Sequence, residues 1–239
     1  MELEYVAIRY EGDREAILKQ LRPEEDMLDD FEAVYQKCLD IADPQGVFGQ
    51  SEVRQEGGIT YVDGRRFDSR VLEKNFRGAK AVYPYVVTCG RALYDLARET
   101  PDPLERYWVD TIAEFALRAV GRALNRRVRE KFGLERIASV NPGSLSDFPL
   151  RCQRPLFDIL GEGPARIGLE LTPVFLMLPY KSGSGIYFEA QHTYENCMLC
   201  PKANCPGRRA PYSVDTVLAY ELTVPDRIDI AACQTAARR

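Results

Sequence analysis

After Pro103, the residues Leu104, Trp108, Ile112, Phe115, Ala119, Leu124 and Val128 recur at helical spacing until Gly133. That spacing predicts one amphipathic helix of about 27 residues. Its apolar stripe must be buried against other elements, and the rest of the chain offers both strands and helices. "EYVAIRY" (4–10) alternates like a strand and stops at Gly12 and Asp13. "REAILKQL" (14–21) reads as a short helix. Met27, Leu28, Phe31, Val34, Tyr35, Cys38 and Leu39 mark a further helix over 23–41, with Cys38 on its apolar face. Asp63-Gly64 within 58–68 is a hairpin signal. The stretch 79–90 reads as a buried strand broken at Pro84, followed by a helix from Arg91.

Beyond the long helix, 136–149 is rich in Gly, Pro, Ser and Asn and reads as a loop. A short helix is expected over 153–161. Two strands, 167–179 and 183–191, are joined by "YKSG", and a last helix falls near 213–222. This mixed order predicts an α+β fold with a mixed or antiparallel twisted sheet and flanking helices.

Composition excludes some classes of function. Apolar residues make up 45% and charged residues 28%, with a formal net charge of -4. An acidic balance gives no global support for a nucleic-acid or anionic-membrane partner. Arg122, Arg126, Arg127, Arg129 and Lys131 crowd one stretch and read as the solvated face of the long helix. No apolar run approaches the ~18 residues that span a bilayer, and the acidic start is unlike a signal peptide. The expectation is a cytoplasmic protein, in which clustered cysteines suggest metal or redox chemistry rather than disulfides.

Three of the seven cysteines lie in "NCMLCPKANC" (196–205). Cys197-x2-Cys200-x4-Cys205, flanked by Pro201 and Pro206, can offer three thiolates to one metal. Zinc and an iron–sulfur cluster both suit such ligands. Candidates for a fourth ligand are His192, the chain's one histidine, together with Cys152 and Cys233. A redox-active dithiol and three inert thiols are the alternatives. Asp110, Glu114, Asp147 and Glu189 are available carboxylates, none beside a histidine or in a catalytic spacing. They read as solvated or ion-paired groups, with Asp147 a helix N-cap.

"NPGSLSDFPLRCQRPLFDILG" (141–161) and "IGLELTPVFLMLPYKSGSGIYF" (167–188) resemble the activation domain of cobalamin-dependent methionine synthase. The similarity is best over about 90–190, and the long helix and glycine-proline loop fall in that family's order. The resemblance implies one activation-domain-like unit over 1–239: a loosely matching part (1–90), a core (91–192) and a cysteine-bearing tail (193–239). It also implies S-adenosylmethionine binding and a role in remethylating cobalamin held by a corrinoid methyltransferase partner. A flavodoxin- or ferredoxin-type donor would supply the electron.

Carried over by motif, the cofactor-binding residues would be Asn141, Pro142, Gly143, Ser144, Ser184, Gly185 and Tyr187. The family loop reads arginine-x-x-proline-glycine-tyrosine, whereas this chain has Ser139 and Ser144 at the arginine and tyrosine positions. A partner for the cofactor's carboxylate and a packing ring are thereby lost, with Arg136 and Arg151 nearby as replacements. The cysteine cluster is an addition to the family pattern. It suggests an electron carrier beside the cobalamin chemistry, or a zinc-binding interaction module with no chemistry of its own.

Overall fold

The computed structural model describes residues 1–205, 207–225, 228–229 and 232–233. In chain order the strands are β1 (Leu3–Ala7), β2 (Gln45–Gly49), β3 (Ser51–Glu56), β4 (Ile59–Val62), β5 (Arg65–Phe67), β6 (Ala81–Thr88), β7 (Ile137–Val140), β8 (Glu170–Leu171), β9 (Met177–Leu178) and β10 (Ser182–Glu189). The helices are α1 (Arg14–Leu21), α2 (Leu28–Ile41), α3 (Arg70–Asn75), α4 (Arg91–Glu99), α5 (Pro103–Phe132), α6 (Gln153–Leu160), α7 (Gly163–Arg166) and α8 (Val214–Ala219). Helices are thus combined with antiparallel ladders, as expected of an α+β chain. Among the described residues, no helix is long and apolar enough to cross a membrane.

The chain divides into two compact units, each assembled from three stretches. The first comprises Met1–Gly49, Tyr85–Gly133 and Leu160–Ser184. Its spine is α5, whose start is held by the Asp102 carboxylate accepting from the Leu104 and Glu105 amides, with Pro103 in the first turn. Gly133 ends it at φ 64. Trp108, Ile112, Leu124 and Val128 are buried, and Trp108 meets the Phe31 ring edge-on at 5.7 Å. Cys38 and Cys89 fill the same core, where burial pushes each thiol up to about 12.

The second unit comprises Gln50–Pro84, Leu134–Ile159 and the chain from Gly185 onward. Strands β3, β4 and β5 form an antiparallel meander. Asp63 and Gly64, at φ 43 and 75, make the tight turn expected between β4 and β5. Strand β10 pairs antiparallel with β7, setting Tyr187 opposite Ser139. Phe67, Phe76, Phe148, Ile186 and Phe188 are buried in this core.

Four local expectations are corrected. Strand β6 runs unbroken through Pro84. Its residues Tyr85–Thr88 pair with β2, and Ala81 and Val82 pair with β3. Pro84 falls between the residues of β6 that pair with β2 and those that pair with β3. The loop expected over 136–149 begins with strand β7, hidden by the Gly/Pro-rich sequence after it. The apolar run 167–179 is not a strand. Thr172 makes a turn with Phe175, and its hydroxyl accepts from the Leu176 amide, leaving only the two-residue pair β8 and β9. Val174 and Leu176 are accordingly exposed. The helix expected over 23–41 starts with a single 3-10 turn and becomes α-helical at Leu28.

Candidate functional site

The glycine-proline loop of the second unit closes on itself. The Gly143 amide donates to the Phe148 carbonyl at 2.7 Å, the Ser144 amide donates to the Asn141 carbonyl at 3.1 Å, and Leu145 bridges Phe148. Gly143 stands at φ +83, and a Cβ there would lie 3.0 Å from Leu150 Cδ1. The left-handed conformation favours glycine, and a side chain there would also require Leu150 to shift. Pro142 is buried, while Gly143 and Ser144 are exposed. Gly185 and Tyr187 lie buried on β10 of the same unit, and Ser184 is the last residue of the first unit.

Asp147 anchors this loop. Its carboxylate accepts from the Ser69 hydroxyl at 2.5 Å and from the Arg70 and Val71 amides at 3.1 and 2.9 Å. It therefore caps α3, which is distant in sequence, and not the helix that follows it. The reason is physical: the first amides of α3 lack intrahelical acceptors, and a carboxylate suits the positive end of the helix.

The cysteine segment meets the loop through side chains. Asn196, 6% exposed, donates Nδ2 to Asn141 Oδ1 at 3.0 Å. Its own Oδ1 accepts the Tyr194 hydroxyl at 2.8 Å, while Ser139 donates to Asn141 Oδ1 at 3.4 Å. Burial, with the neighbouring Tyr220, raises the Tyr194 pKa, so Tyr194 is a neutral donor. Ser139 and Asn141, in or beside the altered motif, are thus tied to the chain just before Cys197.

Beside this network lies a cavity of about 480 Å³. The loop contributes Ser144, Leu145 and Asp147, and the cysteine segment contributes Leu199 and Pro201. Arg70 and Glu221 supply charge of both signs; the Arg70 Nη1 lies 2.7 Å from Glu73 and 3.9 Å from Glu221. A second cavity of about 630 Å³ is lined by Arg77, Lys80, Arg136 and Glu189, among others. Arg136 donates to the Gln191 carbonyl there, and Arg151 is exposed on the chain leading into α6.

Cys197, Cys200, Cys205 and Cys152 are partly buried free thiols, Cys233 is fully buried, and His192 is exposed. Among the described residues, no three Cys, His, Asp or Glu side chains are gathered into a metal-binding group. Cys152 packs on the second core, where burial raises its thiol pKa. Cys233 is brought to the cysteine segment, its Sγ 3.2 Å from the Pro201 carbonyl oxygen. Of the other carboxylates, Asp110 accepts the Tyr180 hydroxyl, and Glu114 pairs with Arg118 and Lys181.

Sequence reasoning missed Asn196, Arg70 and Arg208. Arg70 followed a turn with no motif around it. Asn196 and Arg208 bracket the cysteines, and a polar or charged residue at such a position gives no sign of burial.

No family model matches the chain, and no curated protein sequence matches it. Among solved structures it is similar to the MetH reactivation domain bound to AdoHcy, at 17% identity over 82% of this chain and 81% of that chain, with a TM-score of 0.56. The protein therefore has a reactivation-domain-like fold.

Proposed function

We propose that this chain binds S-adenosylmethionine in the 480 Å³ cavity and supports reductive remethylation of cobalamin carried by a corrinoid methyltransferase partner. The observation that carries the reading is the likeness to a MetH domain bound to AdoHcy over 82% of the chain. The volume lies in the usual range for small-molecule pockets. The residues present fit the cofactor. Arg70 offers a guanidinium to its carboxylate, Glu221 an acid to its cationic groups, and Leu145, Leu199, Val217 and Leu222 an apolar wall to the adenine. Gly143 permits close backbone approach at the rim. When bound, the sulfonium supplies the methyl group, and the electron comes from a flavodoxin- or ferredoxin-type donor. The chain's own residues bind and orient the cofactor. Arg70 replaces the motif arginine from a different element, which compensates for Ser139.

Calorimetric titration of the full chain with S-adenosylhomocysteine tests the reading. Saturable one-to-one binding is expected, weakened at least about tenfold, roughly 1.4 kcal/mol, in Arg70→Ala. No binding of either S-adenosyl compound to the wild type would overturn it.

A further inference from the structure

Two cavities of the second unit meet. The one of about 630 Å³ and another of about 450 Å³ are both lined by Asn75, Arg77, Ala190 and Gln191. They form one groove beside the C-terminal ends of α3 and β10, and its two halves differ in chemistry.

The smaller half is aromatic: Phe188, Tyr194 and Tyr220 line it with Met198. The ring centroids of Phe188 and Tyr194 lie 5.7 Å apart, and those of Tyr194 and Tyr220 lie 5.9 Å apart with 34° between the planes. Phe188 is buried, but the two tyrosines are only partly so, which leaves ring surface for a flat ligand to cover. The Tyr220 hydroxyl donates to Asn75 Oδ1 at 2.7 Å, a bond that holds the ring where the halves join.

The larger half is charged. Arg77, Lys80 and Arg136 line it and are exposed. Arg77 is paired with Glu73 at 3.4 Å, but Arg136 donates to the Gln191 carbonyl, and among the described residues no acid is paired with Lys80. Guanidinium forks and an ammonium suit phosphate oxygens. Glu135 and Glu189 line the same half and disfavour a bare polyanion. They suit a ligand that also carries hydroxyl donors.

We infer that this groove is a second ligand site, for a nucleotide. Its base covers Tyr194 and Tyr220, its ribose hydroxyls donate to Glu135 and Glu189, and its phosphates are held by Arg77, Lys80 and Arg136. A free phosphate leaves the rings uncovered, and an uncharged aromatic leaves the cations unused; a nucleotide joins both chemistries in one molecule. None of the residues lining the cavity assigned to S-adenosylmethionine lines this groove. Along the cysteine segment and α8, Met198, Thr216 and Tyr220 border the groove, while Leu199, Val217 and Glu221 border the other cavity. The inference goes beyond the proposed function and does not depend on it.

The experiment is calorimetric titration of the full chain with ADP, adenosine and inorganic phosphate, each repeated with excess S-adenosylhomocysteine. Saturable one-to-one binding of ADP is expected, tighter than that of adenosine or phosphate and unchanged by S-adenosylhomocysteine. Lys80→Glu, at an exposed position, should weaken ADP about tenfold, as loss of a charge-assisted hydrogen bond does, and leave adenosine unchanged. Tyr220→Leu should weaken both about tenfold through lost stacking, whereas Tyr220→Phe keeps the ring and loses less. Circular dichroism separates lost binding from lost folding, and Lys80→Glu tests the site even where Tyr220→Leu fails to fold. A wild type that binds no ADP at about 1 mM overturns the inference. So does ADP binding that Lys80→Glu leaves unchanged, or displacement of ADP by S-adenosylhomocysteine, which would place both in one pocket. ADP bound by a chain that takes up no S-adenosyl compound upholds the groove and overturns only the proposed function.

Discussion

Asn196 donates its side-chain amide to Asn141 Oδ1 at 3.0 Å, joining the residue before the first clustered cysteine to the glycine-proline loop. The bond couples the two stretches that line the same cavity.

Asn196→Ala should therefore disturb both. It leaves the Tyr194 hydroxyl without its acceptor and removes the Asn141 donor at a buried position, at a cost of about 1–3 kcal/mol. Urea denaturation would measure this. Asn196→Asp keeps an acceptor for Tyr194 but sets a buried carboxylate against Asn141 Oδ1, so it should be destabilised at least as much as the alanine variant at neutral pH. A stable Asn196→Asp would show that the Asn141 bond contributes nothing.

Gly143→Ala places a Cβ 3.0 Å from Leu150 Cδ1 at a left-handed residue. The expected loss is about 1–2 kcal/mol from the conformation alone, with repacking of Leu150 added. Gly161, at φ +56 with no atom near a built Cβ, is the control and should lose only the conformational part. The two thermal shifts, compared directly, decide whether the close approach matters.

Asp147→Ala removes three bonds from the start of α3 and should cost about 1–3 kcal/mol. Since Asp147 caps α3 and not α6, hydrogen exchange should accelerate over 70–75 with little change over 153–160. The reverse pattern would contradict the assignment.

In the first unit, Glu4 accepts from Arg127 and Lys131. Burial alone would raise its carboxyl, but the bonds from Lys131 and Arg127 outweigh it and hold the pKa below 4.5. A depressed carboxylate stabilises the fold above its unfolded value and loses that contribution as pH falls through the folded value. The Tm difference between wild type and Glu4→Gln should thus be steady from about pH 7 to 5 and close below about 4.5. A difference that grows on acidification would reject the assignment. The effect should be small, since paired groups near the surface contribute about 0–1 kcal/mol.

Helix α5, the tight turn at Asp63-Gly64 and the start of α1 were legible because each rests on local chemistry: an apolar period, left-handed residues, a polar cap. Local pattern failed where its meaning depends on what lies alongside. Pro84 looks like a strand break until both neighbouring ladders are known. The 167–179 run looks like a buried strand until Val174 and Leu176 are found exposed.

By itself, the sequence determined an α+β chain with a spine helix, a glycine-dependent loop and a cysteine-rich segment, since these follow from residue type and spacing along the chain. Tertiary structure alone decided that Asp147 serves α3, that Asn196 meets Asn141, that Cys233 returns to Pro201 and that Arg208 is buried among carbonyls. The physical reason is that hydrogen bonds and desolvation act over a few ångströms of space, whereas these partners are separated along the chain and carry no local mark of the contact.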